Sequence, residues 1–145
     1  ALAAAGACDR RPPLASCDDD LRGVYVADGQ RWMILDGRDA LEVYPLFDDV
    51  TPARSAGGPD AELEVAPRMI SLRRTPGGVA GEVRRRYMRG TRVCLAKVPA
   101  RLTACAGDAI ELVVSDPAPP LAWERPCLWP RPGSSRRERW IRIDR

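Results

Sequence analysis

The fold is decided by residues 21–44, which read LRGVYVADGQRWMILDGRDALEVY. Two Asp-Gly turn signals, at Asp28-Gly29 and Asp36-Gly37, divide this stretch into three short runs rich in apolar and β-branched residues. Asp-Gly between such runs indicates a tight hairpin, because glycine reaches the left-handed backbone conformations that these turns need. The stretch therefore predicts a three-stranded antiparallel meander. Its strands are expected over 21–27, 31–35 and 40–44.

Glycine and proline divide the rest of the chain just as densely. Between Pro13 and Gly133 no stretch free of both residues exceeds nine positions, whereas a typical helix has about 11 residues. Short strands fit this spacing and long helices do not. Further strands are predicted over 62–65, 69–74, 79–88, 93–98, 102–105 and 110–114. Eight or more short strands predict an all-β domain, either a small antiparallel barrel or a sandwich.

The last residues carry two conflicting signals. Ser135 and Glu138 have the spacing of a capping box, which would begin a helix over 136–145. Trp140 and the two isoleucines that follow it favour a closing strand over 139–143 instead. The strand is the preferred interpretation, and the helix stays open as the alternative.

Four of the five cysteines are expected to form two disulfides. The five are Cys8, Cys17, Cys94, Cys105 and Cys127. No two of them have a C-x₂-C spacing, which argues against a zinc site. Setting Cys8 aside leaves four cysteines, which can form two disulfides, and an oxidising compartment favours such bonds. Cys94 and Cys105 are symmetric about Pro99-Ala100, so a tight hairpin there would pair them and leave Cys17 for Cys127. The other connectivities stay open.

The N-terminal residues point to the cell envelope. Small apolar residues run up to Cys8 and a polar, Pro-rich segment follows. Ala5-Gly6-Ala7-Cys8 resembles the lipobox of bacterial lipoproteins, in which the cysteine is acylated and becomes the first mature residue. The resemblance implies lipidation of Cys8 and a membrane-anchored protein facing the periplasm, with the choice of inner or outer membrane open. It divides the chain into a signal-peptide remnant over 1–8, a flexible tether over 9–20 and a β domain over 21–145.

The composition removes several function classes. The chain has no histidine, which is the usual general base and neutral zinc ligand. None of the G-x-S-x-G, P-loop or G-x-G-x-x-G motifs occurs. The net charge of +3 is too small to require a nucleic-acid partner. We therefore predict a protein that is not an enzyme, with no catalytic residue, no cofactor and no metal.

Two groups of residues are candidates for binding. Arg84, Arg86 and Arg89 belong to the densest basic run and form a candidate basic patch, although a solvated strand face explains the run as well. Trp123 and Trp129 flank Cys127 in a Pro-rich loop and form a candidate binding lip. Filling of the core is the alternative role for these tryptophans.

The start of the β domain resembles one further class. Residues 21–25, Leu-Arg-Gly-Val-Tyr, resemble the early Gly-x-Trp/Tyr strand of lipocalin-type barrels, which implies a barrel that holds a small apolar ligand. The same outline resembles small periplasmic lysozyme-inhibitor lipoproteins, which act by contact with another protein. The expected function is therefore a periplasmic ligand- or protein-binding domain, with a structural or assembly subunit as the alternative. A deep apolar pocket would favour a ligand, whereas a filled core with an exposed apolar patch would favour an interface.

Overall fold

The computed structural model describes residues 11–47, 63–131 and 133–144, and within them it contains nine strands and no helix. The predicted all-β class is confirmed. The strands are β1 Gly23–Ala27, β2 Gln30–Asp36, β3 Ala40–Leu46, β4 Leu63–Val65, β5 Met69–Thr75, β6 Gly78–Arg89, β7 Arg92–Ala106, β8 Ala109–Val114 and β9 Arg136–Arg142.

Eight of the strands form a closed antiparallel barrel. Leaving β4 aside, each strand pairs with the next one in the chain, β9 returns to β1, and the pairing of β6 with β7 completes the ring. This is an up-and-down barrel rather than a sandwich, because the sheet closes on itself and its barrel strands lose their free edges along the paired part. The short strand β4 is an addition that pairs only with the end of β6.

The predicted meander forms β1, β2 and β3. Asp28 and Gly29 have φ angles of 49° and 72°, so both central residues of the first turn adopt the left-handed conformation that a two-residue hairpin requires. Ala27 and Gln30 pair across this turn, which sets the register of β1 against β2. The local turn signal therefore fixed this part of the fold.

The closing strand is also confirmed at β9, in place of a C-terminal helix. Glu138, the residue that would have completed a capping box, points into the barrel and has only 5% of its surface exposed. It binds the side chains of Arg68, Arg136 and Trp140 there, so it is not available as a helix cap.

Apolar side chains at alternating positions fill the barrel interior. Trp32 and Trp140 stack at its centre, with ring centroids 4.9 Å apart, and they are 4% and 0% exposed. An eight-stranded barrel has an interior just wide enough for side chains of this size. The core comprises Leu14, Leu21, Tyr25, Ala27, Trp32, Ile34, Leu41, Val43, Ile70, Leu72, Val79, Val83, Ala100, Cys105, Ile110, Leu112, Val114 and Trp140.

The hairpin of β6 and β7 extends beyond the barrel. β5 covers β6 only as far as Arg84, and β8 covers β7 only from Ala100 onward. Residues 85–98 therefore project as a two-stranded unit, which we call the arm. The arm has a small core of its own, composed of Leu63, Tyr87 and Ala96 with Val65, Trp123 and Trp129 packed against them.

The predicted hairpin at Pro99-Ala100 is wrong, because β7 runs through both residues as one strand of 15 residues. Proline is tolerated at this position because its backbone nitrogen faces the side of β7 at which the partner strand β8 ends. A proline beside a small residue can stand in a turn, or in a strand at a position where no neighbouring strand needs its N–H. The sequence does not show which of the two applies.

The predicted disulfide pairing is wrong for the same reason. The bonds are Cys17–Cys105 and Cys94–Cys127. Cys94 and Cys105 lie 11 positions apart on one strand, which corresponds to roughly 36 Å of extended chain. A register shift between Leu102 and Ala104 adds one residue to β7, and this bulge turns Cys105 towards the interior, where Cys17 meets it.

The expected flexible tether over 9–20 is wrong for the part that the structure describes. Leu14 is 6% exposed and exchanges two backbone hydrogen bonds of 2.8 Å with Gly107. Cys17 then fixes the segment to β7. Residues 14–21 thus close one end of the barrel, because Leu14 and Leu21 add apolar surface to its core. Residues 9 and 10 lie outside the described part of the chain.

A close approach of two strands yields a prediction about stability. A Cβ atom added at Gly81 in β6 would lie 1.9 Å from the carbonyl oxygen of Ser71 and 2.8 Å from Cα of Leu72. Both are backbone atoms of β5, so the strands would have to separate. Gly81→Ala is expected to lower the free energy of unfolding by about 1–3 kcal/mol, measured by urea denaturation with both disulfides intact.

Gly77→Ala is the matched control. The nearest atom to an added Cβ at Gly77 is Oγ1 of Thr75 at 3.8 Å, an ordinary contact. Its effect is expected to stay within about 0.5 kcal/mol. Equal stabilities of the two variants would contradict the close approach of β5 and β6.

Candidate functional site

A buried carboxylate of the barrel is paired with two arginines. Glu138 accepts two hydrogen bonds from Arg68, of 2.8 and 2.9 Å, and one of 2.9 Å from Arg136. Burial alone would raise the pKa of Glu138, but the charge and hydrogen bonds of Arg68 and the bonds from Arg136 and Trp140 outweigh it, so the pKa lies below its usual value. This carboxylate holds an ion pair and has no spare proton for acid–base work.

A second ion pair closes the opposite end. Arg74 donates two hydrogen bonds to Asp36, of 2.6 and 2.7 Å, and also binds the backbone carbonyls of Cys17 and Asp19. Burial would raise the pKa of Asp36, but the bonds from Arg74 and from the N–H groups of Leu21 and Arg38 lower it overall. The Asp36-Gly37 turn therefore provides a structural anchor for the N-terminal segment.

A groove on the outside of the barrel has a different character. It lies between the end of β3, the start of β5 and the outer face of the arm, and it has a volume of about 570 Å³. Its lining is mainly apolar, with two arginines at one side. The lining residues are Tyr44, Pro45, Phe47, Ala66, Pro67, Met69, Arg84, Arg86 and Leu95.

The apolar residues of this groove are unusually exposed. Phe47 is 50% exposed and Leu95 is 49% exposed, although both are large apolar side chains. They are joined on the outer face of the arm by Val93, which is 55% exposed. Single exposed apolar residues are common on protein surfaces, whereas contiguous exposed apolar patches are typical of interaction surfaces. We call this surface the outer groove.

The arginines beside the outer groove are in unequal states. Arg84 hydrogen-bonds to Oγ of Ser71 at 2.7 Å and lies 3.8 Å from Glu42. Arg86 is exposed and forms no ion pair with any residue that the structure describes. Arg86 is therefore the cation that is available to an incoming carboxylate.

The predicted basic patch is not one unit. Arg84 and Arg86 line the outer groove, but Arg89 lies on the other face of β6, where its guanidinium stands 5.2 Å from the ring centroid of Trp123. The odd spacing between Arg86 and Arg89 places them on opposite faces, since side chains alternate along a strand.

The predicted aromatic lip is not freely exposed. Trp123 and Trp129 are partly buried and pack against the core of the arm, and the ring of Trp129 lies 6.2 Å from that of Tyr87. The exposed large apolar residues of the loop are Leu121 and Leu128, at 68% and 58%. The disulfide Cys94–Cys127 fastens this loop to the arm.

The sequence reasoning missed Tyr44, Phe47, Met69 and Leu95. One signal for Leu95 was available in residues 93–96, Val-Cys-Leu-Ala, which are apolar on both faces of the strand. Such a strand is expected to be covered on both sides. In the structure only the face with Cys94 and Ala96 is covered, and Val93 and Leu95 are exposed.

The fold and its surface define a disulfide-linked, up-and-down β-barrel with a filled interior and a groove beside a projecting hairpin. Comparison of the chain with protein-family models, with curated proteins and with solved structures found no match. Among residues 11–47, 63–131 and 133–144 no helix is long and apolar enough to cross a membrane. Cys8, the expected lipidation site, lies outside these ranges.

The two buried ion pairs yield a prediction about pH. A folded pKa below the unfolded value, near 4, means that stabilisation is complete above about pH 4 and is lost as the pH falls through the lowered pKa. We expect the free energy of unfolding to decrease steeply in this acid range. Asp36→Asn is expected to flatten that decrease and to cost about 3 kcal/mol at pH 7, because Arg74 stays buried without its carboxylate.

Chemical denaturation at a series of pH values measures both effects. Glu124→Gln is the matched control, because Glu124 is exposed in the loop. Asp36→Asn behaving like Glu124→Gln at neutral and acid pH would contradict the role of the ion pair.

Proposed function

We propose that this chain is a non-enzymatic, lipid-anchored protein of the bacterial cell envelope whose β domain binds a protein partner through the outer groove. The observation that carries the proposal is the contrast between a filled barrel interior and a clustered apolar surface beside an unpaired arginine. Of the two functions that the sequence left open, protein contact is better supported than transport of a small ligand.

The filled interior argues against a lipocalin-like carrier. A small-molecule site is a largely preformed cavity that buries most of its ligand. Inside this barrel the buried, stacked rings of Trp32 and Trp140 occupy part of that space. Admission of an apolar ligand would require these rings to separate, which removes close-packed contacts before any new contact forms.

The chemistry of the outer groove fits a protein surface. Aromatic residues and arginine are enriched among the residues that contribute most to binding energy at protein interfaces. Tyr44 and Phe47 provide apolar contact area, and Arg86 can bind a carboxylate through two parallel hydrogen bonds. A partner that places an apolar side chain next to an Asp or Glu would satisfy both features.

The cysteines support the envelope location. The two disulfides use four of the five cysteines and leave Cys8 as the remaining thiol. Disulfides of this kind persist in oxidising compartments such as the periplasm. A structural or assembly subunit and an inhibitor of a periplasmic enzyme are two forms of the same protein-binding function, and the partner's identity distinguishes them.

Photo-crosslinking in cells tests the proposed interface. A benzophenone-bearing amino acid replaces Leu95 in the outer groove, or Arg139 on the exposed side of β9 as the matched control. Leu95 is expected to give a discrete heavier band, because crosslinks form only with groups held close to the probe, and Arg139 is expected to give none. The readout is a denaturing gel probed for this protein.

Binding of a fluorescent fatty acid tests the alternative function, a carrier of small ligands. A carrier would bind this probe in the barrel and change the fluorescence of Trp140. Saturable binding of that kind, together with equal crosslinking from Leu95 and Arg139, would contradict the proposed function and favour a ligand carrier.

The lipid anchor has a separate test. The natural precursor is expressed in a Gram-negative host, and the intact mass of the membrane-bound protein is measured. Acyl chains are expected on Cys8, and Cys8→Ala is expected to release an unacylated protein from the membrane fraction, because a cysteine thiol is the acylation site of a lipobox. Unchanged membrane association of Cys8→Ala would contradict the anchor.

A further inference from the structure

One edge of the arm has no partner strand. β7 pairs with β8 only over residues 100–106, so among the described residues the segment 93–98 has β6 on one side and no strand on the other. β4, in contrast, covers the corresponding part of β6. The closed barrel therefore has an open sheet edge where its longest strand projects.

The backbone groups that face this edge can be identified. The loop between β6 and β7 consists of Gly90 and Thr91, so the flanking residues Arg89 and Arg92 form a hydrogen-bonded pair. The backbone N–H and C=O groups of even-numbered residues in β7 then bond to β6, and those of odd-numbered residues point away from β6. The carbonyl of Pro99 agrees with this assignment. It points away from β6 and accepts a hydrogen bond of 3.4 Å from the N–H of Ser115, the residue that follows β8.

The N–H and C=O groups of Leu95 and Lys97 consequently face outwards. No described residue outside the β6–β7 ladder forms a backbone or side-chain hydrogen bond with them. A row of exposed, unpaired backbone groups at a sheet edge is a template for another strand. The outward groups repeat every second residue, a spacing that only an extended backbone can match.

The space beside this edge is a second groove, of about 410 Å³. One wall is β7 itself from Leu95 to Val98. The other wall consists of residues 116–118, 129–131 and 133, including Pro117, Trp129 and Pro130. Prolines in this wall cannot donate hydrogen bonds to β7. The wall therefore leaves the edge unpaired while it offers apolar side chains beside it.

The charges around the edge select the partner. Arg86, Arg92, Lys97 and Arg131 are all exposed, and none forms an ion pair with a described residue. Asp116, the carboxylate in the groove wall, is already held by Arg136 and Arg68. The surroundings of the edge are thus cationic, and an incoming strand gains from Asp or Glu side chains.

We propose that the open edge of β7 from Leu95 to Lys97 accepts an extended, acidic segment of the partner protein as an added strand. This rests on the proposed function and names the partner's chemistry. Main-chain hydrogen bonds provide the affinity, and side chains at alternate positions reach Leu95 on the outer face and Trp129 on the inner face. A second copy of this chain would bring its own cations against the same edge, and such like-charged pairing is unfavourable.

Lys97→Pro and Lys97→Ala form the decisive pair of variants. Both remove the charge, but only proline removes the outward N–H, and the bond pattern to β6 stays intact because residue 97 does not donate to β6. Proline is already present at Pro99, which has the same orientation. Melting curves that agree between the two variants show that both are folded.

The probe is a display library of peptides about eight residues long, enough to cover the edge with flanking residues to spare, in which apolar residues alternate with Asp or Glu. A library with Lys in place of the acids is the control. Enrichment is expected from the acidic library alone. The selected peptide is expected to bind Lys97→Pro roughly tenfold more weakly than Lys97→Ala, the loss that corresponds to about one hydrogen bond.

Methylation of the peptide's amides gives an independent measurement. N-methyl groups on alternate residues are expected to abolish binding in one frame and to leave it unchanged in the other, because only one set of amides faces β7. Equal binding in both frames, or by both Lys97 variants, would overturn strand addition while the proposed interface keeps its support from Leu95 crosslinking. Absence of enrichment from both libraries would overturn it as well.

Sedimentation separates self-pairing from the proposal. The wild-type chain is expected to be monomeric at concentrations at which the peptide saturates it. A dimer that Lys97→Pro dissociates would show that the edge is used by a second copy, and it would overturn the acidic partner.

Discussion

The pairing of β6 with β7 is the contact on which the rest of the structure depends. It joins the ring of strands into a closed barrel, and its strands have 12 and 15 residues where the other barrel strands have five to seven. A barrel whose other strands are short can enclose only part of such a hairpin. The remaining part must project, and its apolar inner face then needs a cover of its own. β4, the loop residues Trp123 and Trp129 and the disulfide Cys94–Cys127 provide that cover.

Ion pairs hold both ends of the barrel, in addition to the apolar contacts of Leu14 and Leu21 at one of them. Arg74 and Asp36 fasten the N-terminal segment at one end, and Arg68 and Glu138 lie at the other. Each pair is compensated by further hydrogen bonds, which is the condition under which a buried ion pair is tolerated. These pairs also specify geometry, because a displaced partner would leave a buried charge alone.

The proposed interface follows from the same constraint. Because the arm extends past its neighbours, one side of β7 loses its partner strand and the outer face of the arm loses its cover. Exposed backbone groups, exposed Leu95 and the unpaired Arg86 therefore occur within one small region. Native proteins usually blunt such edges with lysine or proline, and Lys97 is placed where its charge would discourage pairing with a second cationic copy. An acidic strand meets no such obstacle.

The sequence by itself determined the features that depend on neighbouring residues. Asp28-Gly29 specifies its hairpin because the turn geometry involves only the residues beside it, and dense glycine and proline exclude long helices in the same local way. The all-β class and the closing strand at β9 could therefore be predicted. The cysteine pairing could not, because Pro99 is compatible with a turn and with an unpaired edge, and only the position at which β8 ends decides between them.

The tertiary structure alone decided that the bulge beside Leu102 turns Cys105 inwards and that Leu14 belongs to the core. It also decided that Arg84 and Arg86 meet Phe47 and Leu95 while Arg89 does not. Those outcomes depend on which strands lie next to one another, and contacts between distant parts of the chain leave no local pattern in the sequence.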